Sequence, residues 1–442
     1  MRLFKNALIP FGGKEKIADI LFDDKILKID KNIVAEASYY VEDLKGKLLL
    51  PGCIDAHVHF NDPGYTNHED FYSGTLSAAF GGITTVIDMP CTSIPAVTNK
   101  ENMEEKLSVI EKKAVVDFAL WGGIKGNNFP PKEEDIHNLW NAGVVGFKIY
   151  TISGMDTFRE LSYKQIAEMF EKYPDILFAF HAEDKNIIET ALQNITPNEM
   201  KLPENYIKTR PIEAEFKAVS EILKVAKNVH FVHISSKKAT KLIIENKKST
   251  FETCPHYLQF IQNDLLNLKG RLKIAPVVKY QADKNYLREC LKNGKLDFVT
   301  TDHAGCDYET EKKFEDFSKV YSGIPGTEFL ALYIISEFYI KEKVPINRIV
   351  EILSQNQAKR YGLYPNKGSL EIGTDADFTI IDLEKEFYVD EKKLHSLGKY
   401  SPFNGQIFGC SVDKTIIRGT NVISNGKIKV SKGFGKFIKR RN

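Results

Sequence analysis

His57 and His59 stand two residues apart in Cys53-Ile-Asp-Ala-His-Val-His-Phe-Asn-Asp-Pro-Gly64, an apolar run with the character of a β-strand. At that spacing both imidazoles project from one face of a strand. Neutral imidazole is the commonest protein ligand for zinc-like cations, and metal catalysis asks for ligands held rigidly around a coordination position left open. A strand end facing a cavity supplies both. A short His-x-His also occurs by chance on half-buried strands, so the pair alone leaves the question open.

Other apolar runs end on ligand types as well: Phe180-His181-Ala-Glu183, Val229-His-Phe-Val-His233 and Val299-Thr-Thr-Asp302-His303. In an ideal strand His230 and His233 fall on opposite faces, so one of them points inward, and His233, nearer the strand end, is expected to be that one. Four histidines and an aspartate converging on one mouth form a chemically specific metal constellation. Lys148, in Gly146-Phe-Lys-Ile-Tyr150, stands where a divalent cation would repel a bare ammonium. Two readings follow. Its head snorkels to water at a rim, or burial leaves a neutral amine that adds carbon dioxide and bridges two cations as a carbamate.

Residues so placed need a frame that brings many strand ends together. Strand ends are expected at His59, Asp88, Trp121, Ile149, His181, His233, Thr253 and Asp302, separated by helical patterns. Eight such alternations predict an α/β fold, a (β/α)8 TIM barrel with its chemistry at the carboxyl ends of the strands. One helix shows both start and face: Ser162-x-x-Gln165 is a capping box, and Ile166, Met169, Phe170 and Tyr173 repeat at helical spacing. Short alternating runs fill the first fifty residues, with a strand-turn-strand pattern over 17–29, and return after Lys367, where Asn425-Gly426 predicts a hairpin turn. The two ends are therefore expected to pair into one small β-domain, 1–50 with 367–442, beside a barrel of 51–366.

Composition bounds the partners. The chain has 442 residues, 43% of them hydrophobic, and a net charge of +2, which calls for no acidic partner, neither nucleic acid nor membrane. Its six cysteines lack CxxC pairing and suit a reducing compartment. No apolar run reaches the roughly 18 residues of a membrane span, and the start lacks a signal-peptide pattern. A cytoplasmic location is the expectation. The basic tail Lys436-Phe-Ile-Lys-Arg-Arg441 reads as a solvated charge cluster, and Gly81-Gly82 as a turn rather than a phosphate loop. His68, His137 and His395 have no evident partner.

His57-x-His59, Lys148, His181, His233 and Asp302, in that order and over nearly the whole chain, resemble the amidohydrolase superfamily. Within it they resemble the cyclic amidohydrolases: allantoinases, hydantoinases (dihydropyrimidinases) and dihydroorotases. The resemblance implies the barrel with a small β-sandwich domain built from both termini, and two divalent metal ions, usually zinc. His57, His59 and Asp302 would hold one ion, His181 and His233 the other, and N6-carboxylated Lys148 would bridge them. Asp302 would serve as general base. A small cyclic amide is the implied partner, and a homo-oligomer, a tetramer, the implied assembly. Non-catalytic scaffold relatives of the hydantoinases lack such ligands, so retention of all six favours an enzyme.

Substrate is read from departures. The arginine, asparagine and histidine with which dihydroorotases hold a carboxylate are Asn61, Cys91 and Cys306 here. The tyrosine that hydantoinases carry five positions after the lysine is Ser153. His57-Val-His-Phe-Asn-Asp-Pro-Gly64, Leu120-Trp-Gly-Gly123 and Ser153-Gly-Met-Asp-Thr-Phe158 resemble allantoinase segments, whereas 302–312 and 323–328 are closer to hydantoinases. A neutral ureide, allantoin opened to allantoate, is the first expectation, a hydantoin or dihydropyrimidine the second and dihydroorotate the third. Asn61, Cys91, Ser153, Cys254 and His303 are the expected substrate contacts.

Overall fold

The computed structural model describes residues 1–441. Eight parallel strands form the central barrel, and terminal strands form a second sheet against it. In chain order the terminal sheet begins with β1 (Arg2–Phe11), β2 (Lys14–Phe22), β3 (Ile26–Asp30), β4 (Tyr40–Asp43) and β5 (Leu48–Pro51). The barrel strands are β6 (Cys53–Val58), β7 (Ile83–Asp88), β8 (Asp117–Leu120) continued by β9 (Gly122–Gly123), β10 (Phe147–Tyr150), β11 (Phe178–His181), β12 (Val229–Phe231), β13 (Ser249–Thr253) and β14 (Phe298–Val299). Then β15 (Phe378–Asp382) re-enters the terminal sheet, β16 (Phe387–Tyr388) and β17 (Ile407–Phe408) make a small hairpin, and β18 (Ser411–Ile417), β19 (Thr420–Ser424) and β20 (Lys427–Ile428) complete the chain's sheet.

Backbone pairing explains how the barrel closes. Strands β6-β7-β8 form one parallel sheet and β9 to β14 another. β8 and β9 are joined through Trp121, so the two sheets are one wall bent at a single residue. The remaining seam, between β14 and β6, is closed by a bridge from Val58 to His303, where the His59 N–H donates to the His303 carbonyl at 2.8 Å. Strand periodicity, interrupted in β6 by a register shift between Asp55 and Val58, sorts the side chains. Ile54, Ala56, Ile87, Ala119, Trp121, Ala179 and Phe298 pack together inside the barrel, while Val58, Val86, Phe118, Leu120, Phe147, Ile149 and Phe180 belong to the layer against the helices. The helix predicted from Ser162 spans Tyr163–Lys172 with Ser162 as its N-cap, and Ile166, Met169 and Phe170 are buried as the stripe requires.

The terminal sheet runs β20-β19-β18-β15-β5-β1-β2-β3, with β4 also on β1, and draws strands from both chain ends. It encloses its own apolar cluster of Phe4, Ile20, Phe22, Leu49, Phe378 and Ile416. Asn425 and Gly426 both have positive φ, 53° and 64°, and join β19 to β20 in a two-residue turn. Lys367 stitches sheet to barrel, its Nζ lying 2.6 Å from both Asp117 and Asp377 and 2.9 Å from Asp375.

The basic tail departs in part from expectation. Lys436, Lys439 and Arg441 are exposed, as expected of solvated charges, but the backbone is docked: the Phe118 N–H donates to the Lys436 carbonyl at 2.9 Å, Ile438 N–H to the Phe118 carbonyl at 2.7 Å, and Arg440 N–H to the Gly143 carbonyl at 3.1 Å. Arg440 also lies over Trp140 at 3.6 Å. The start of β8 leaves backbone groups unpaired on the side away from β7, and the tail fills that gap. No helix among the described residues is long and apolar enough to cross a membrane.

Candidate metal centre and cavity

His57 and His59 emerge from the end of β6, and Asp302 follows β14 with a positive φ of 51°. That backbone turn brings its carboxylate back over β6. Asp302 Oδ1 lies 3.1 Å from His57 Nε2 and 3.2 Å from His59 Nε2, and the three groups are spaced as ligands of a single ion. His181, the last residue of β11, presents Nδ1 3.1 Å from His233 Nε2. The His57 and His233 rings are 5.4 Å apart, so the two groups are neighbours.

Lys148, on β10, is completely buried, and its Nζ has no hydrogen-bond partner. Burial pulls its pKa down to about 8 against the pull of Asp302. A buried amine with no acceptor costs free energy unless something else engages it. His233 Nδ1 is likewise buried without a hydrogen bond. Burial above all lowers the pKa of His181 and His233, helped at both by Lys148, at His181 by Arg210 and at His233 by His181. They are held as neutral imidazoles, the form that binds a cation. Burial drives the Asp302 carboxyl up, but His57 and His59 outweigh it and hold it well below the ordinary value, as a carboxylate. Two neutral imidazoles at His181 and His233, the imidazoles of His57 and His59 beside the Asp302 carboxylate, and an unpartnered buried amine form a donor set that fits a pair of divalent cations.

The strand-face expectation for β12 needs correction. Both His230 and His233 point inward, because β12 ends at Phe231 and His233 has left strand geometry with φ 41°. His230 sits one layer deeper, with Nε2 3.1 Å from Glu252 Oε2, while Glu252 Oε1 lies 2.5 Å from His57 Nδ1. Glu252 on β13 was missed in the sequence, although a glutamate inside the run Phe251-Glu-Thr-Cys254 is the signal that finds it. Such a carboxylate fixes the tautomer and orientation of a ligating histidine. Burial alone would raise its pKa, but His57 and His230 hold it at about 2. Glu183 plays a similar part: it lies 2.9 Å from His181 Nε2 and is paired with Arg210.

A cavity of about 380 Å³ opens at these strand ends, reached by His59, His181, His233 and Asp302 and bordered by Tyr150, Ser153 and Arg210. Of the five expected substrate contacts Ser153 alone lines it. His303, one residue beyond Asp302, faces away: its Nε2 lies 3.1 Å from Glu69 and its Nδ1 accepts the Gly326 and Thr327 N–H groups. Cys91 lies behind His59 and Tyr150, 3.2 Å from the Tyr150 hydroxyl. Asn61 and Cys254 are buried in the wall. Alternation at a strand end accounts for His303, adjacent to Asp302, whereas Asn61 shares the parity of His57 and His59 and is turned aside by a positive φ of 55°. The unassigned histidines do have partners: His68 pairs with Glu311 at 2.8 Å, His137 with Glu133 at 3.5 Å and His395 with Glu328 at 2.9 Å.

Comparison with known proteins places this geometry. Residues 48–422 match the model of the amidohydrolase family. The chain belongs to that family. As an amidohydrolase it is similar to an allantoinase of Rubrobacter xylanophilus, 34% identical over 97% of this chain and 95% of that protein. It is also similar to a dihydroorotase of Methanosarcina acetivorans, 33% identical over 98% and 94% of the two chains. Among solved structures, the L-hydantoinase (dihydropyrimidinase) from Arthrobacter aurescens superposes with a TM-score of 0.93 at 31% identity, covering 99% of each chain. The barrel and the terminal sheet are thus those of a hydantoinase-like amidohydrolase.

Proposed function

We propose that this amidohydrolase opens the ring of a neutral cyclic ureide with the help of two divalent cations, allantoin giving allantoate. The observation that carries the reading is the clustering of His57, His59, His181, His233, Asp302 and the unpartnered Lys148 at one set of strand ends, with His59, His181, His233 and Asp302 lining the cavity. His57, His59 and Asp302 would hold one ion, His181 and His233 the other, and Lys148, carboxylated at Nζ, would bridge them. Zinc is the proposed metal. Bound there, such ions would lower the pKa of a water to near neutrality and polarise the amide carbonyl.

The chain's own groups then do the proton work. Asp302 takes the proton from the attacking water as the new C–O bond forms, and returns it to the ring nitrogen as the C–N bond breaks. Glu252 and Glu183 hold His57 and His181 in position. Tyr150 and Ser153 border the space for the ring.

A neutral substrate is favoured over dihydroorotate by the cavity's charges. Arg210 borders the cavity, but its guanidinium is already matched by Glu183. Asn61 and Cys91 give no cation in its place. A substrate carboxylate there would forgo charge-assisted hydrogen bonds worth about 1.5–3 kcal/mol each. The likeness to L-hydantoinase supports a hydantoin or dihydropyrimidine as second substrate class. A homo-oligomer acting on small molecules completes the proposal. Purified protein loaded with zinc is expected to open allantoin fastest in a parallel assay with hydantoin, dihydrouracil and dihydroorotate. Turnover of dihydroorotate alone would overturn the ranking, and fewer than one bound metal per chain would favour a scaffold role.

A further inference from the structure

Two backbone strips, Ile274–Ala275 and Tyr321–Gly323, form part of the cavity lining. Neither belongs to a helix or a strand, so no regular ladder of hydrogen bonds fixes their spacing. Behind them lies Lys312, 2% exposed, on the loop that follows the last barrel strand. Its Nζ donates to the carbonyls of Gly323 at 2.7 Å, Tyr321 at 2.8 Å and Lys273 at 3.3 Å. Burial pulls its pKa down to about 7, but unlike Lys148 it faces three carbonyl acceptors, which favour the protonated form and take its three N–H donors. The Gly323 N–H closes the set by donating to the Lys273 carbonyl at 3.0 Å. Two hydroxyls tie the same strips from other directions, Tyr400 to the Gly323 carbonyl at 3.0 Å and Tyr206 to the Ile274 carbonyl at 2.9 Å.

We infer that Lys312 is a positioning residue for substrate: by gathering carbonyls of both strips on one ammonium it sets the spacing of the wall against which the ring rests. It touches neither the reacting atoms nor any metal ligand. Its effect therefore falls on how tightly the substrate is held rather than on the bond-breaking step. A compact three-donor head on a long apolar stem suits this place, since the stem crosses the packed interior while each N–H meets an acceptor. A methionine would fill the same volume and leave three buried carbonyls without their shared donor.

The inference rests on the cyclic-amide reading, and the experiment separates the two. Lys312→Met and Tyr400→Phe are compared with the parent as zinc-loaded proteins, by metal content, kcat and KM on the best substrate of the panel, and hydrogen exchange. For Lys312→Met we expect KM to rise about tenfold, with kcat within about threefold and metal content unchanged. Tyr400→Phe, which removes one bond to the Gly323 carbonyl, should raise KM by about threefold. Faster exchange is expected at 273–276 and 321–324. An unchanged KM in Tyr400→Phe and in any folded Lys312→Met, or a loss of kcat and metal with KM preserved, would overturn the positioning role. If the parent opens none of the four rings, the cyclic-amide reading fails instead. Exchange at the two strips then still decides whether Lys312 and Tyr400 hold the wall, and unchanged exchange would reject it.

Discussion

At Lys148 the cost of burial and the absence of any hydrogen-bond acceptor point the same way: the amine is stable only when something else completes its environment. In the proposed reading carbon dioxide would add to the amine to give an anionic bridge, so removing the side chain would remove the group between the two proposed ions. Lys148→Ala is expected to lose bound metal and activity by at least about 100-fold, with partial recovery in added short-chain carboxylate. Metal analysis and activity with and without acetate check this. Full activity without rescue would remove the bridging role. The substrate contacts were less legible at this scale. Cys91, Cys254, Asn61 and His303 carry suitable chemistry close in sequence to the metal residues, yet His303 alternates away from Asp302, Asn61 has a positive φ of 55° and the two cysteines are buried in the wall, so Ser153 alone of the five reaches the cavity.

Strands β12 and β13 add an interaction that neither shows alone. Their parallel register sets His230 opposite Thr250, and Glu252 lies within reach of both His57 and His230. Burial pulls the pKa of His230 down to about 4 despite its bond to Glu252. It stays neutral in the fold but binds a proton in the unfolded chain below its ordinary value near 6.5. The unfolded state then carries more protons, so stability rises with pH across this window and is lost as pH falls from about 6.5 to 4. At about 1.4 kcal/mol per unit this comes to about 3 kcal/mol. Glu252, held at about 2, adds a further loss as pH falls from about 4.5 towards 2. Urea midpoints of the metal-free protein at pH 7, 5.5 and 4 should follow this decline, and His230→Gln should flatten it between 6.5 and 4. An equally steep decline in the variant would acquit His230.

Across the whole molecule the chain ends are structural. The tail joins β8 and the segment before β10 at the end of the barrel away from the cavity, through hydrogen bonds at Phe118 and Gly143. Deleting residues 434–442 is expected to cost about 5 kcal/mol, counting about 1 kcal/mol for each backbone hydrogen bond that Gly435, Lys436, Ile438, Arg440 and Arg441 make to the barrel, with KM and metal content unchanged. Calorimetry and steady-state kinetics check this. A truncated protein of parental stability would show that the tail merely rests on the surface. The tail's docking was illegible in the sequence because Lys436, Lys439, Arg440 and Arg441 read as solvated charges, while the contacts that hold them run largely through backbone groups and Trp140.

Local patterning by itself placed the eight strands, although His233 and Asp302 fall beyond the ends of β12 and β14, together with the helix capped at Ser162 and the Asn425-Gly426 turn, and residue type offered the candidate metal ligands. Those features depend on the alternation of side chains along a strand, on 3.6-residue repeats and on turn chemistry, all of which act over a few residues. Only the tertiary structure decided that His230 and His233 both face inward, that Glu252 and Glu183 stand behind the histidines, and that Lys312 gathers two distant strips of backbone. Each of these depends on a positive φ or on which strands become neighbours, and closure of the barrel sets both by bringing together residues tens to hundreds of positions apart.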